Sequence, residues 1–411
     1  MVTRQRARLV AAAAIAGTVS AFATAATAAA DEPVEAGITV PVVEGLSADF
    51  MNGVDASSIL SLEESGVTFR DFDGEEADVF DVFADAGVNY SRIRVWNDPY
   101  DADGNGYGGG TVDAERATEI GLRSTAAGMR VFVDFHYSDF WAHPGQQPLP
   151  KAWEGMTTAE RADAMYDYTV DTLSRMDDAG VDVGMVQIGN ENSGLLLAET
   201  AWPESGQLFD AASRGVRDAL GDDVKIAIHF TNPERGNYGS LADSLATYDT
   251  DPATEGVQPI DYDVFASSYY AYWHGTLENL TSQLAGVAET YGKDVIVAET
   301  SWAYTLEDGD GYPNNIRTAY DQYSTSVQGQ ALAVRDVIEA VANVGDAGLG
   351  VFYWEPAWLP VGPPEDIEQN RLLWEEFGSG WASSHAADYS ADAAANYGGS
   401  GWDNQAMFDF E

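Results

Sequence analysis

The chain has 411 residues, of which 45% are hydrophobic, 67 are acidic, 20 are basic and none is cysteine. This length and apolar content allow a large buried core and exclude disordered and fibrous architectures. The formal charge of −47 makes nucleic acid and anionic membrane surfaces poor partners, and the absence of cysteine excludes disulfides, thiol nucleophiles and cysteine-bound metal centres.

The N-terminus has the pattern of a secretory signal peptide. Three arginines precede an apolar stretch that begins at Leu9, and small residues follow up to Ala30. The apolar stretch is short and interrupted, so a membrane anchor is the less favoured alternative. We therefore expect residues 1–30 to be the signal peptide of a secreted, extracellular protein, residues 31–45 a lead-in, and residues 46–411 one folded domain.

Acidic residues are spread along the whole chain, whereas lysine occurs only at Lys151, Lys225 and Lys293. This distribution predicts a solvated acidic surface that stays soluble in concentrated salt, where self-repulsion is screened. Compositional drift in an acidic secreted protein is the alternative.

Eight apolar runs rich in β-branched residues recur along the chain. Near-continuous hydrophobicity indicates strands covered on both faces, and helical periodicity between them indicates the strand–helix repeats of a parallel sheet. The predicted strands are Ala48–Val54, Tyr90–Trp96, Arg130–Tyr137, Gly184–Gly189, Lys225–Phe230, Val264–Trp273, Val295–Thr300 and Gly350–Trp354. The clearest helical segments are Glu75–Ala86, Asp113–Ala127, Thr158–Ala179 and Tyr320–Val344.

Eight strand–helix units predict an α/β fold, a single (β/α)8 TIM barrel with a parallel eight-stranded core. Gly87, Gly128 and Gly180 stand between a helix and the next strand, where a left-handed C-terminal cap is expected. A doubly wound open sheet is the alternative, but segment 53–58 lacks the glycine-rich phosphate loop of such sheets. The tail beyond Pro356 is predicted to form a final helix and a packed extension.

Polar residues at the ends of the predicted strands are the candidate functional residues, because active sites of such barrels lie at the carboxyl ends of the strands. An arginine buried in a strand also requires a carboxylate partner, which singles out Arg94. For the two histidines, the alternative is an ordinary hydrogen-bonded core residue. The candidates are Asp55, Arg94, His136, Asn190, Glu191, His229, Tyr269, Tyr270, Glu299 and Trp354.

Two of these candidates, Glu191 after strand four and Glu299 in strand seven, would face each other across the barrel. Glycoside cleavage needs a proton donor on one side of the bond and a carboxylate on the other, and a separation of about 5 to 5.5 Å implies a covalent, retaining route. We expect Glu191 to be the acid/base and Glu299 the nucleophile, within reach of Arg94 and a strand-six tyrosine hydroxyl. Either glutamate alone is better explained as a solvated strand end; their joint placement favours the catalytic pair.

The chain is rich in aromatic residues, with 11 tryptophans and 20 tyrosines. Aromatic faces stack on the apolar side of sugar rings, and ordinary packing is the alternative role. Packing is expected for Trp153, Trp374 and Trp381. The tryptophans expected at the rim of the barrel are Trp96, Trp141, Trp273, Trp302, Trp354 and Trp358.

Long segments of the chain carry a specific resemblance to one known family; they are Gly87–Tyr100, Asn105–Gly110, Val133–Trp141, Val186–Glu191, Ser268–Gly275, Ala298–Ser301 and Gly378–Trp381. From about Gly53 to the C-terminus the sequence resembles glycoside hydrolase family 53, the arabinogalactan endo-β-1,4-galactanases. The resemblance implies a retaining catalytic barrel over residues 46–411 that acts on the polysaccharide β-1,4-galactan, with Glu191 as acid/base and Glu299 as nucleophile. It places Arg94, Asn190, His229 and Trp354 around the subsite where the bond breaks. A monomer is expected.

Bacterial members of this family are also known for calcium near the loop after strand seven, so the resemblance implies one structural Ca2+ here. The loop carries oxygen donors at alternate positions, which suit calcium. Tyr312 stands where the family pattern has histidine, which removes a side-chain ligand. Ser383 and Asp388 are candidates to complete the shell, and an ion-free acidic turn is the alternative. The expected ligands are Asp308, Asp310, the backbone oxygen of Tyr312 and Asn314.

Two other functions share this pattern. A β-mannanase or cellulase would have the same paired glutamates, since linkage preference resides in loops. A secreted carbohydrate-binding barrel without catalysis is disfavoured because Glu191, Glu299, Asn190 and Arg94 are all present.

Overall fold

The computed structural model describes residues 37–193, 196–199 and 201–409. The expected signal peptide lies outside the described residues. Residues 37–43 form neither helix nor strand, and the side chain of Gln328 pairs with both backbone groups of Thr39, at 2.9 and 3.0 Å. Within the described ranges, none of the helices combines the length and the hydropathy needed to cross a bilayer.

Eight parallel strands close into a barrel, so the predicted (β/α)8 architecture is confirmed. Neighbouring strands follow one another around the barrel in chain order, and β8 pairs with β1 to close it. The strands are β1 Met51–Asp55, β2 Tyr90–Val95, β3 Arg130–Phe135, β4 Val183–Ile188, β5 Lys225–Phe230, β6 Val264–Ser268, β7 Asp294–Thr300 and β8 Gly348–Tyr353.

Helices separate the strands and cover the outside of the barrel. They are α1 Ile59–Glu64, α2 Val79–Asp85, α3 Ala114–Ala126, α4 Thr158–Ala179, α5 Trp202–Leu220, α6 Tyr238–Thr247, α7 Leu277–Tyr291, α8 Val327–Ala342, α9 Ile367–Phe377 and α10 Ala391–Ala395. Short 3-10 turns occur at Lys151–Trp153, Pro233–Arg235, Pro364–Asp366, Ser384–Ala386 and Asp403–Gln405. A two-stranded hairpin, Phe69–Arg70 with Glu76–Ala77, lies between α1 and α2.

Capping residues explain where the helices begin and end. Asp78 accepts a hydrogen bond from the backbone N–H of Phe80, so α2 begins at Val79 and not at the predicted Glu75. Ser326 caps α8 in the same way, which moves its start from the predicted Tyr320 to Val327.

The predicted glycine caps are confirmed. Gly87, Gly128 and Gly180 have φ angles of 88°, 86° and 94°, in the left-handed region that favours glycine.

The sixth strand is shorter than predicted. The apolar run continues to Trp273, but β6 ends at Ser268, and the backbone N–H of Tyr270 then donates to Nδ1 of His274 at 3.1 Å. Hydrophobicity alone cannot separate the end of a strand from a buried loop that follows it. The consequence is that the aromatic residues after Ser268 belong to the rim of the barrel.

The barrel interior changes from apolar to polar along its axis. Side chains two residues apart point to the same side of a strand, so Tyr90 and Arg92 share the inner face of β2, and Phe132 and Asp134 share that of β3. Tyr90 and Phe132 lie deeper in the barrel and pack in one apolar cluster with Phe352. Arg92 and Asp134 form the next layer, which is charged. A Cβ on Gly53 would overlap the ring of Phe352, so this packing requires glycine there. The apolar layer supports a buried polar layer at the carboxyl ends of the strands.

Candidate active site

A cavity of about 980 Å³ opens at the carboxyl ends of the barrel strands. Most of the predicted site residues line it, and His229 and Tyr269 do not. The predicted residues in its wall are Asp55, Arg94, His136, Asn190, Glu191, Tyr270, Glu299 and Trp354.

Glu299 lies near the end of β7 and is 6% exposed. Its Oε1 is 3.0 Å from Nη1 of Arg92, and its Oε2 accepts a hydrogen bond of 3.0 Å from the hydroxyl of Tyr270. Burial raises the pKa of Glu299, the Arg92 guanidinium lowers it, and the nearby carboxyl group of Glu191 raises it. Both oxygens of Glu299 thus face hydrogen-bond donors, which favour the ionised carboxylate. The burial of the side chain has the opposite effect, because it removes water from the charge.

Glu191 follows β4 in a turn that projects it into the cavity. Its φ of 42° is a left-handed conformation that is uncommon for residues other than glycine and concentrates at functional sites. The side chain is partly exposed, and its carboxyl group is close enough to raise the pKa of both Glu299 and Tyr270. The structure therefore brings the two predicted carboxylates together in one cavity, in unequal surroundings.

Arg92, which the sequence analysis did not select, connects the buried polar layer. Its guanidinium is 3.0 Å from Asp55, 2.8 Å from Asp134 and 3.0 Å from Glu299, and all of these side chains are buried. It also donates to Oδ1 of Asn190 at 2.9 Å. The guanidinium of Arg92 thus connects side chains from β1, from β3, from the loop after β4 and from β7 around Glu299.

The prediction that Arg94 reaches Glu299 is wrong. Arg94 is two residues further along β2, so its guanidinium lies nearer the rim, 2.6 Å from Oε1 of Glu355. Asp55 is 3.6 Å away on its other side. Arg94 does have the carboxylate partner that a buried arginine requires, but this partner is Glu355, which follows β8.

His229 is held as a neutral imidazole beneath Asn190. Oδ1 of Asn190 already accepts from Arg92 and Gln187, at 2.9 and 3.1 Å, and Nδ1 of His229 lies 2.9 Å from the same oxygen. This contact is shorter than the 3.4 Å between Nδ1 and the backbone N–H of Glu191, and an amide oxygen can only accept, so we assign the hydrogen to Nδ1. Nε2 then accepts from the hydroxyl of Ser268 at 2.9 Å. Burial and Arg92 lower the pKa of His229 well below 6.5. It lies outside the cavity wall and orients Asn190 from behind.

His136 has the opposite tautomer. Its Nδ1 accepts from the backbone N–H of Ala142 at 3.1 Å, so Nε2 carries the hydrogen and faces Asp134 at 3.2 Å. Burial lowers its pKa. Unlike His229, it lines the cavity.

Of the two candidate tyrosines, only Tyr270 belongs to the site. The hydroxyl of Tyr269 donates to the backbone oxygen of Gly275 at 2.9 Å, and its ring packs in the core. The side chain of Tyr270 points to the opposite side, and its hydroxyl donates to Glu299. The prediction of Tyr269 as a functional residue is therefore not supported by its position.

The aromatic wall of the cavity differs in part from the expected one. Trp141, Trp273 and Trp354 line it as predicted, and so does Trp381, for which packing was predicted. The ring of Trp381 stacks on that of Trp141 with centroids 4.3 Å apart and planes at 4°. The residues expected at the rim that are buried outside the cavity wall are Trp96, Trp302 and Trp358.

A cluster of carboxylates lies where the calcium ligands are expected. Oxygen atoms of Asp308, Asp310 and Asp403 lie within 4.8 Å of one another. Burial and the neighbouring carboxylates raise the pKa of Asp310 to about 8 and that of Asp403 to about 6. Oδ1 of Asn314 and Oδ1 of Asp403 are buried and have no hydrogen-bond partner among the residues that the structure describes. This oxygen-only donor set fits a hard divalent cation.

The tail supplies a different residue to this cluster from those expected. Asp403 joins it, whereas the hydroxyl of Ser383 donates to the backbone oxygen of Gly106 and Asp388 is exposed. The backbone N–H of Tyr312 donates to Asp310 at 2.7 Å, which keeps its peptide beside the cluster. Liganding by the Tyr312 oxygen stays a prediction.

The sequence contains a local pattern for some of the site residues that were not predicted, and none for others. Extending the two-residue alternation inward from Arg94 and His136 would have identified Arg92 and Asp134. Glu355 directly follows a candidate at the end of a strand. Asp403 had no local signal, because only the folded tail brings it to the β7–α8 loop.

Comparisons with known proteins identify the family of the chain. The family model for glycosyl hydrolase family 53 matches residues 51–411. The endo-β-1,4-galactanase of Bacillus subtilis (strain 168) is 55% identical over 375 residues, which cover 90% of this chain and 85% of that protein. The structure of the GH53 catalytic domain of Ignisphaera aggregans is 36% identical, with a TM-score of 0.77, and the match covers 91% of this chain and 95% of that chain. A fungal β-1,4-galactanase structure is 30% identical, with a TM-score of 0.64 and coverage of 75% and 90%. The chain belongs to glycosyl hydrolase family 53.

Proposed function

We propose that this protein is a secreted endo-β-1,4-galactanase that cleaves galactan with retention of configuration, through Glu299 as nucleophile and Glu191 as acid/base. The observation that carries the proposal is the pair of carboxylates in one cavity, one held by two donors and the other partly exposed. The relatives named as endo-β-1,4-galactanases support the substrate. The N-terminal signal-peptide pattern supports secretion.

The first chemical step forms a covalent intermediate. A Glu299 oxygen attacks the anomeric carbon while Glu191 gives its proton to the departing glycosidic oxygen. In the second step Glu191 takes a proton from water, the water oxygen attacks the same carbon, and the ester to Glu299 breaks. Two inversions give net retention, and both carboxyl groups return to their starting states.

The buried polar layer prepares Glu299 for this reaction. Arg92 and Tyr270 fix both of its oxygens, so the nucleophile is oriented before the sugar binds. Asn190 is fixed by Arg92 and Ala142, whose backbone oxygen accepts from Nδ2 at 2.9 Å. Trp354 and Trp381 offer aromatic faces for the sugar rings.

Calcium belongs to the same proposal. Asp308, Asp310, Asp403 and Asn314 would hold one Ca2+, whose charge would compensate the clustered carboxylates. Because Asp403 comes from the tail and the others from the β7–α8 loop, a bound ion would join these two segments.

The decisive experiment is incubation with linear β-1,4-galactan, with mannan and cellulose as controls. We expect internal cleavage of galactan alone, and NMR should detect the β-anomer first. Release of the α-anomer first would overturn the retaining mechanism, and turnover of only mannan or cellulose would overturn the substrate.

Two glutamine variants separate the roles of the glutamates. On an aryl β-galactobioside with a good leaving group, E191Q should release about one equivalent of phenol in a burst and then slow, because the leaving group needs no proton but water is no longer activated. E299Q should show no burst. E368Q changes an exposed glutamate on α9 and should behave as wild type. A burst in E299Q would contradict the assignment.

A further inference from the structure

A buried ion pair at the rim takes no part in the proposed reaction. Glu355 is 1% exposed and does not line the cavity, and its Oε1 lies 2.6 Å from Nη1 of Arg94. Its Oε2 accepts from the hydroxyl of Ser58 at 2.7 Å. Its φ of 47° is left-handed, so the backbone after β8 holds an uncommon conformation to deliver this carboxylate.

The partner of Glu355 is enclosed by indole rings. The Cζ of Arg94 lies 4.4 Å from the ring centroid of Trp141, 5.4 Å from that of Trp96 and 5.8 Å from that of Trp358. Nη2 donates to the backbone oxygen of Gly109 at 2.6 Å. A guanidinium plane attracts aromatic faces most strongly where it is desolvated, as here.

The contact continues to the cavity wall. Trp141 packs against Arg94, and Trp381 stacks in parallel on Trp141. Nε1 of Trp141 donates to the backbone oxygen of Trp381 at 3.2 Å, which adds a second link. Both rings line the cavity. A continuous column thus runs from Glu355 through Arg94 and Trp141 to Trp381.

We propose that Glu355 is a positioning residue that, through Arg94, fixes the Trp141–Trp381 stack as a sugar-binding wall of the cavity. The proposal rests on the proposed function for its substrate. Glu355 fixes where the guanidinium lies, since the other carboxylate near Arg94, Asp55, is 3.6 Å away and is also paired with Arg92. Without this anchor the guanidinium would no longer be held against the face of Trp141.

The first test is E355Q, which keeps the shape of the side chain and removes its charge. We expect KM for linear β-1,4-galactan to rise about three- to tenfold while kcat stays within about twofold, because the stack binds sugar and does not touch the reacting atoms. The near-UV circular dichroism of the free enzyme should lose amplitude, since parallel indoles 4.3 Å apart couple strongly. E64Q is the matched control, as Glu64 forms a surface pair with Arg116.

A double-mutant cycle tests whether Glu355 acts through the stack. In a W381A background, E355Q should have little further effect on KM, because the wall that Glu355 positions is already removed. Additive effects on KM, or a fall in kcat with KM unchanged, would overturn the proposal. An unchanged circular dichroism spectrum in E355Q would do the same.

If E355Q does not fold, S58A tests the same column more gently by removing one donor to Glu355. It should raise KM and reduce the circular dichroism signal in the same direction as E355Q, and wild-type values of both would refute the proposal. The spectrum is recorded without substrate, so it decides the positioning role even if the wild-type enzyme proves inactive on galactan, which would overturn the proposed function alone.

Discussion

Arg92 and Glu299 form a buried ion pair across the barrel interior, with Nη1 of Arg92 3.0 Å from Oε1 of Glu299. The same guanidinium faces Asp55 and Asp134, so one cation opposes three carboxylates. The orientation of Glu299 therefore depends on residues from β1, β2 and β3 as well as on its own strand. This arrangement fixes the Glu299 carboxyl group within a strongly desolvated cluster of charges.

Replacement of Arg92 by lysine should damage both stability and activity. R92K keeps the charge but loses the planar fork that contacts several oxygens at once. We expect the free energy of unfolding to fall by about 2 kcal/mol or more and kcat/KM on galactan to fall by about 100-fold or more. Urea unfolding and steady-state kinetics measure the two effects.

R130K is the control for this prediction. Arg130 pairs with Asp182 at 3.2 Å, and both side chains are substantially exposed. The change should alter stability by less than about 1 kcal/mol and leave activity unchanged. Equal effects of R92K and R130K would contradict the role given to Arg92.

The neighbouring tyrosines provide a matched pair for the pH dependence. Y270F removes a hydrogen bond that stabilises ionised Glu299, so it should raise the pKa of Glu299. A nucleophile must be ionised, and activity falls as pH drops through its pKa. The acidic limb of the kcat/KM profile should therefore move to higher pH in Y270F, with a fall in the maximum of about tenfold or more.

Y269F removes a hydroxyl that donates to the backbone oxygen of Gly275, outside the cavity wall. The acidic limb of the kcat/KM profile of Y269F should coincide with that of the wild type. A shifted acidic limb in Y269F, or an unshifted one in Y270F, would show that the Tyr270 hydroxyl does not control the pKa of Glu299.

Much of the fold could be predicted from the sequence because parallel barrel strands are covered on both faces and read as apolar runs. The same pattern placed Glu191 and Glu299 at the correct strand ends. The pattern could not predict which of Arg92 and Arg94 contacts Glu299, because both side chains point inward from β2. They differ only in how deep they lie in the barrel.

Two further ambiguities have similar physical causes. The choice between Tyr269 and Tyr270 depends on where β6 ends, and buried aromatic residues continue past that point. Asp403 is brought to the β7–α8 loop by long-range packing of the tail, which no local pattern encodes.

Removal of calcium should destabilise the protein, and more so at higher pH. In the metal-free state the raised pKa values of Asp310 and Asp403 mean that the folded state binds more protons than the unfolded state, so stability falls as pH rises from about 4 to 8. A bound cation would compensate these charges. We therefore expect the increase in Tm on adding Ca2+ to EGTA-treated protein to be larger at pH 8 than at pH 5.

The matched variants for calcium are D403N and D388N. D403N removes a carboxylate of the cluster and should abolish most of the Ca2+-dependent shift in Tm, whereas Asp388 is exposed and D388N should retain it. A Tm that does not respond to Ca2+ in the wild type, together with no metal in elemental analysis, would discard the site.

The acidic surface should make stability depend on salt. With 67 acidic residues against 20 basic ones, repulsion within the folded protein is large at low ionic strength and is screened as salt is added. We expect Tm at pH 7 to rise by about 5 °C or more between 0.05 and 1 M KCl. The same titration at pH 4 is the internal control, because protonation of exposed carboxyl groups removes the repulsion and the rise should shrink. An equal rise at both pH values would point to a general effect of salt on burial, and no rise at pH 7 would show that the acidic composition has no consequence for stability.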